Sequence, residues 1–147
     1  MSSRLTKLSS NLWLGNSWDA EHGNLTQHKI DALLCVAHDL EAKRGWSDGL
    51  HYAQCGLVDG PGNSLAAYHA AVLQLVAFWT DKRTVLVYDH TAGSRAVTVA
   101  IMGMHAKNRM GWDHWIAEIK PTELPHEAHR QAFDRINWRL LTTTLHG

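Results

Sequence analysis

The segment Thr84-Val85-Leu86-Val87-Tyr88-Asp89-His90-Thr91-Ala92-Gly93-Ser94-Arg95-Ala96-Val97 constrains this chain more than any other. A short apolar run breaks into a polar turn and restarts as an apolar helix whose first turn carries an arginine. The run reads as a buried strand, and strands of that kind belong to sheets covered by helices on both faces. The turn also gathers backbone N–H groups, a helix N-terminus and a guanidinium around one point. That combination is an anion site, most often one for phosphate.

The rest of the chain alternates in the same way. Asn11-Leu12-Trp13-Leu14-Gly15 reads as a short strand, with Asn16 or Ser17 placed to cap a helical turn through Glu21. Residues 30–37 form a nearly continuous apolar run, as a strand buried on both faces requires. Residues 41–49 are polar and glycine-rich, hence a loop, and 50–55 add another strand. Asp59-Gly60-Pro61-Gly62-Asn63 is turn chemistry, and Asn63 or Ser64 can cap a helix over Leu65–Trp79. Thr84–Tyr88 is the central strand, followed by a helix from Gly93 to about Ala106. Trp112–Ile119 reads as a short helix, and Pro125 opens a last one running to about Leu141. Strands separated by helices predict an α/β sandwich with a central, mostly parallel sheet.

A chain of 147 residues suits one domain spanning 1–147, and no repeat, linker or low-complexity segment divides it. Lys plus Arg equals Asp plus Glu at 14 each, so no basic surplus argues for nucleic acid or an anionic membrane. Phosphate recognition must then be local. No apolar run is long enough to span a bilayer, and residues 1–7 lead into no signal-peptide core. Cys35 and Cys55 lie in strand-like contexts, as expected of reduced thiols in a cytoplasmic protein.

At the turn itself, the backbone N–H groups of His90, Thr91, Ala92, Gly93, Ser94 and Arg95 can point inward as a nest. Ser94 adds a hydroxyl. Arg95 can grip two oxygens through its planar fork, each charge-assisted bond contributing roughly 1.5–3 kcal/mol. Taken alone, the segment is equally readable as an ordinary strand-to-helix turn with Arg95 solvated or ion-paired.

Flanking residues extend the pattern. Val85-Leu86-Val87 before the turn, Ser94-Arg95 after it and Val97-Thr98-Val99-Ala100 beyond resemble the cysteine-dependent dual-specificity phosphatases, whose loop reads His-Cys, five residues, then Arg. Leu57-Val58-Asp59-Gly60-Pro61-Gly62-Asn63 stands where these enzymes carry a mobile loop with a general-acid aspartate. The likeness covers about Leu8 to Arg109 and implies a dual-specificity-phosphatase-like sandwich. By the same resemblance Asp59 is the general acid, Ser94 the hydroxyl that aids breakdown of the intermediate, and Arg95 the phosphate clamp. No cofactor is implied, and the ligand is a phosphorylated protein, a small phosphorylated molecule or a protein partner.

Three positions depart from the pattern. Tyr88 replaces the histidine, Asp89 the nucleophilic cysteine and Ala92 the following glycine. A carboxylate at residue 89 occupies the anion site itself. Opposite charges ~4 Å apart attract by about 4 kcal/mol at an effective dielectric near 20, so Asp89 is expected to pair with Arg95 or the loop N–H groups. These departures point to a pseudophosphatase that binds a partner or an anionic ligand. The alternatives are a phosphoester hydrolase with its nucleophile replaced or acting through Asp89, and a different acid–base enzyme using Asp89, His90 and Asp59.

Other features are read as structural. His126 and His129 lack further metal ligands at a recognisable spacing, so they are expected to be solvated helix-face residues. Cys55 lacks a suitably spaced arginine and reads as a buried structural thiol. Trp112 and Trp115 share one helical face and are expected to pack in the core.

Overall fold

The computed structural model describes residues 2–41 and 49–141. Its elements are β1 (Thr6–Ser9), β2 (Leu12–Asn16), α1 (Ser17–His22), β3 (Ala32–Ala37), β4 (His51–Leu57), α2 (Leu65–Thr80), β5 (Val85–Asp89), α3 (Ser94–Lys107), α4 (Trp112–Ile119) and α5 (Glu127–Arg135). The five strands form one sheet in the order β1-β2-β5-β3-β4. Strands β2, β5, β3 and β4 run parallel, and β1 pairs antiparallel with β2 at the edge. The sheet is therefore mixed, because the tight turn after Ser9 adds an edge strand that the polar sequence Thr6-Lys7-Leu8-Ser9 did not announce.

The central strands alternate between two cores. Ala32, Leu34, Val36, Val85 and Val87 face the larger one, beneath α2 to α5. Leu33, Cys35, Ala37, Leu86 and Tyr88 face the smaller one, with Ala20, Leu25 and Ile30. This is the period of two that a strand imposes, with apolar side chains on both faces. α3 is buried from Ser94 through Ala106. A helix buried on every side belongs inside a domain, and α3 is that element here, with Ser94, Arg95, Thr98 and His105 as its buried polar residues.

Caps settle the helix starts. Asn16 caps α1 in a capping box with Asp19, and Ser64 caps α2 by accepting the Ala67 N–H at 3.2 Å. The last helix is shorter than the sequence suggests. It breaks at Arg135, where Ile136 turns extended (φ −68°, ψ 138°) to reach the core, and helical structure resumes over 138–141. There the Trp138 indole N–H donates to the Phe133 carbonyl at 3.0 Å, satisfying an end carbonyl of α5. The loop expected over 41–49 falls mostly on residues 42–48, outside the described residues. Trp112 is buried, and Trp115 packs half-buried against the larger core. Cys35 is buried, but Cys55 is only half-buried, because β4 is an edge strand. Among the described residues no helix is long and apolar enough to cross a membrane.

Parallel pairing brings the carboxyl ends of β2, β5, β3 and β4 to one edge of the sheet. Asn16, Asp89, the segment after Ala37 and the segment after Leu57 meet there, at the position where open α/β sheets bind ligands.

Candidate functional site

Asp89 is the last residue of β5 and lies on the same face as Val85 and Val87, toward the start of α3. Its carboxylate is almost fully buried and accepts three backbone bonds. Oδ1 accepts from Thr91 N–H at 3.0 Å and Gly93 N–H at 2.9 Å, and Oδ2 accepts from Ala96 N–H at 3.0 Å. The carboxylate thus lies in the nest of its own loop, against the positive end of α3. Two of those donors belong to the anticipated set. Ala96 lies beyond it, within the first turn of the helix, where backbone N–H groups have no helical partner.

The loop has a demanding shape. Ala92 holds the left-handed conformation (φ 59°), which favours glycine and costs a residue with a Cβ about 1–2 kcal/mol. A Cβ on Gly93 would stand 2.6 Å from the Thr91 hydroxyl and 2.8 Å from a Glu123 carboxylate oxygen. Residue 93 is glycine because its neighbours close around it.

Arg95 does not pair with Asp89. Its Nη1 donates to Asp39 Oδ1 at 3.1 Å and to the Leu57 carbonyl at 3.1 Å. The expected pairing with the loop N–H groups therefore forms, while the guanidinium turns to a different carboxylate. Asp39 also meets His90, whose Nε2 lies 3.0 Å from Oδ1. The His90 ring beside it holds the Asp39 carboxyl at about 2, against a burial effect that opposes it and with Arg95 assisting. Asp39 escaped the sequence reading. Its position just past the carboxyl end of β3 was the available signal.

Asp59 lies on the loop after β4, half-exposed, with Oδ1 3.2 Å from His129 Nε2. Burial would raise its carboxyl, but the Ser94 hydroxyl and the His129 ring outweigh that and hold it below the ordinary carboxylate range. Ser94 sits beside Asp59, and its Oγ accepts the His126 N–H at 2.8 Å. Its hydroxyl serves the junction with α5, and residue 89 takes its bonds from the backbone instead.

His129 corrects the sequence reading most directly. It is not a solvated helix-face residue but 0% exposed, with both ring nitrogens engaged. Helix α5 turns the 129, 132, 133 face inward, and the fold sets that face against α2 and the Asp59 loop. His126 is exposed and caps α5, its Nδ1 accepting the Ala128 N–H at 2.9 Å. Burial lowers the His129 pKa, against the attraction of Asp59.

Asp89, His90 and Asp59 have separate partners, so the geometry does not join them in one acid–base unit. Tyr88 faces the opposite core, and burial keeps its phenol neutral. The thiols of Cys35 and Cys55 are likewise pushed up by burial. A cleft of about 270 Å³ lies nearby, lined by residues including Arg4, Leu14, Ile119 and Lys120, and touches the loop only at Ala92. Asp89, Arg95 and Asp59 do not line it. Among the described residues no group of three His, Cys, Asp or Glu side chains is arranged to hold a metal ion.

No family model matches the sequence, and no curated protein matches it. Solved structures do match the fold. DUSP15 superposes with a TM-score of 0.85 at 20% identity, covering 97% of this chain and 94% of that one. The human tyrosine phosphatase-like serine/threonine/tyrosine-interacting protein gives 0.78 at 17% identity, covering 89% and 93%. Human DUSP28 gives 0.78 at 15% identity, covering 95% and 96%. The architecture is that of the dual-specificity phosphatases.

Proposed function

We propose that this chain is a catalytically silent domain on the dual-specificity phosphatase fold, in which the Asp89 carboxylate fills the β5–α3 loop from within. The observation that carries this reading is the set of three backbone bonds from Thr91, Gly93 and Ala96 to the Asp89 carboxylate. A phosphate dianion would need those same donors and would meet a fixed negative charge. Arg95, the other expected phosphate ligand, already has Asp39 and the Leu57 carbonyl.

The remaining chemistry agrees. Cysteine-based phosphoryl transfer needs a thiolate within the loop, and both cysteines lie on other strands with thiols pushed up by burial. A general acid must carry a proton, whereas Asp59 is held below the ordinary carboxylate range. Function then rests on binding, with a protein partner favoured over a phosphorylated ligand because the phosphate donors are already engaged.

The test is direct. The full chain should release no nitrophenol from p-nitrophenyl phosphate above the buffer rate and show no heat on titration with phosphate or vanadate. Asp89→Ala should gain phosphate binding. Turnover by the unsubstituted chain, lost in Asp89→Asn, would reject silence in favour of a hydrolase acting through Asp89.

A further inference from the structure

We propose that Tyr68 and His129 are positioning residues for Asp59: with Asn63 they form a one-way hydrogen-bond chain that fixes Asp59 as a proton acceptor and keeps the 58–63 loop docked on α2 and α5. The proposal concerns a different loop from the one Asp89 fills, and it stands whether or not that loop is silent.

The direction of the chain follows from what each group can do. Asn63 Nδ2 lies 3.2 Å from the Tyr68 hydroxyl and can only donate. The phenol oxygen therefore accepts, and its own hydrogen is left for His129 Nδ1, 2.6 Å away. With Nδ1 accepting, neutral imidazole carries its hydrogen on Nε2. That hydrogen points at Asp59 Oδ1, 3.2 Å away, and an ionised carboxylate can only accept. One tautomer satisfies all four groups. The other sets an N–H against the phenol and a bare ring nitrogen against the carboxylate.

The surroundings of His129 favour that neutral ring. Tyr68 approaches from α2 and Asp59 from the β4–α2 loop. His126 lies on the same helix with ring centroids 6.0 Å apart, and Arg95 adds positive charge from α3. Of these only Asp59 favours the imidazolium, while burial, His126 and Arg95 oppose it.

The same residues fasten the loop. Val58 N–H donates to Asn63 Oδ1 at 2.8 Å, and Asn63 Nδ2 donates to the Val58 carbonyl at 2.7 Å. Asn63 thereby closes the loop on itself, and its bond to Tyr68 ties it to the body. The related phosphatases are expected to carry a mobile loop at this position. Here its aspartate is bonded to His129, 70 residues away in sequence, and His129 in turn to Tyr68 on α2.

The experiment has two arms on the full chain. Long-range ¹H–¹⁵N spectra of the unsubstituted protein should show His129 as a single Nε2–H tautomer at neutral pH. A Nδ1–H tautomer or a mixture overturns the proposal. In the second arm, hydrogen exchange at the Val58 amide is compared in Tyr68→Phe and His129→Phe, with the β5 amides of Leu86 and Val87 as internal standards. Both variants should speed Val58 exchange about tenfold or more relative to those standards. Val58 exchange that stays at the unsubstituted rate in either variant overturns it. If a variant does not fold, the tautomer measurement still decides. Neither arm touches Asp89, so failure here is distinguishable from failure of the silent-loop reading.

Discussion

The two loops at the mouth are closed in opposite ways. The β5–α3 loop is closed by its own sequence, since Asp89 reaches amides only two, four and seven residues ahead. The β4–α2 loop closes partly on itself through Asn63, but its aspartate is held by His129, 70 residues away. A locally closed loop survives rearrangement of its surroundings, because every group that holds it travels with it. A loop held from a distance depends on the packing of two helices, and it is the part of the mouth that distant changes can move.

That contrast is sharpest at Asp89. Asp89→Ala leaves three loop amides without their acceptor and should cost about 3 kcal/mol in urea denaturation, with part recovered by added phosphate. A loss below about 1 kcal/mol would mean that the carboxylate does not hold the loop. His129→Phe tests the other loop and should cost about 2 kcal/mol, since it removes one buried and one part-buried bond while keeping an aromatic ring in place.

The same variant carries a pH signature. The folded-state pKa of His129 is lowered by burial, so below about 6.5 the unfolded chain binds the proton that the folded chain refuses. The unfolded state then holds more protons, and stability falls as pH drops through that window. Denaturation midpoints measured between pH 7 and 5 should fall less steeply in His129→Phe than in the unsubstituted chain. An unchanged slope would remove His129 from the acid response.

Smaller effects follow. Tyr68→Phe removes one hydroxyl from the chain and should cost about 1 kcal/mol, less than His129→Phe. Ala92→Gly should work in the opposite direction. It relieves the positive φ at a modest entropic cost in the unfolded state and should raise stability by about 0.5–1 kcal/mol. A destabilised Ala92→Gly would show that the side chain contributes more by packing than it costs by strain.

Much of the architecture was legible because its signals are local. The strand expected over 30–37 (observed over 32–37), the turn at 59–63 and the central strand expected over Thr84–Tyr88 (observed over Val85–Asp89) each follow from neighbouring residues, and so does the α/β sandwich built from them. Ser94 and Arg95 were correctly placed at the start of α3, but their partners were not foreseen. Arg95 meets Asp39 because β3 and β5 are adjacent in the sheet. His129 looked like a solvated residue in a polar helix, and nothing near it in sequence marks the inward face of α5.

By itself the sequence determined the alternation of strands and helices, the anion-nest geometry after β5 and the presence of a carboxylate where that nest expects a ligand. These depend on backbone preferences and on contacts within a few residues, which any fold containing the segment would keep. Only the tertiary structure decided which cation meets which carboxylate. Parallel pairing carries Asp39, Asp59 and Asp89 to one edge, and the packing of α2 and α5 gives Asp59 a buried histidine. Such partnerships are set by distances through space, which a linear pattern of residue types does not specify.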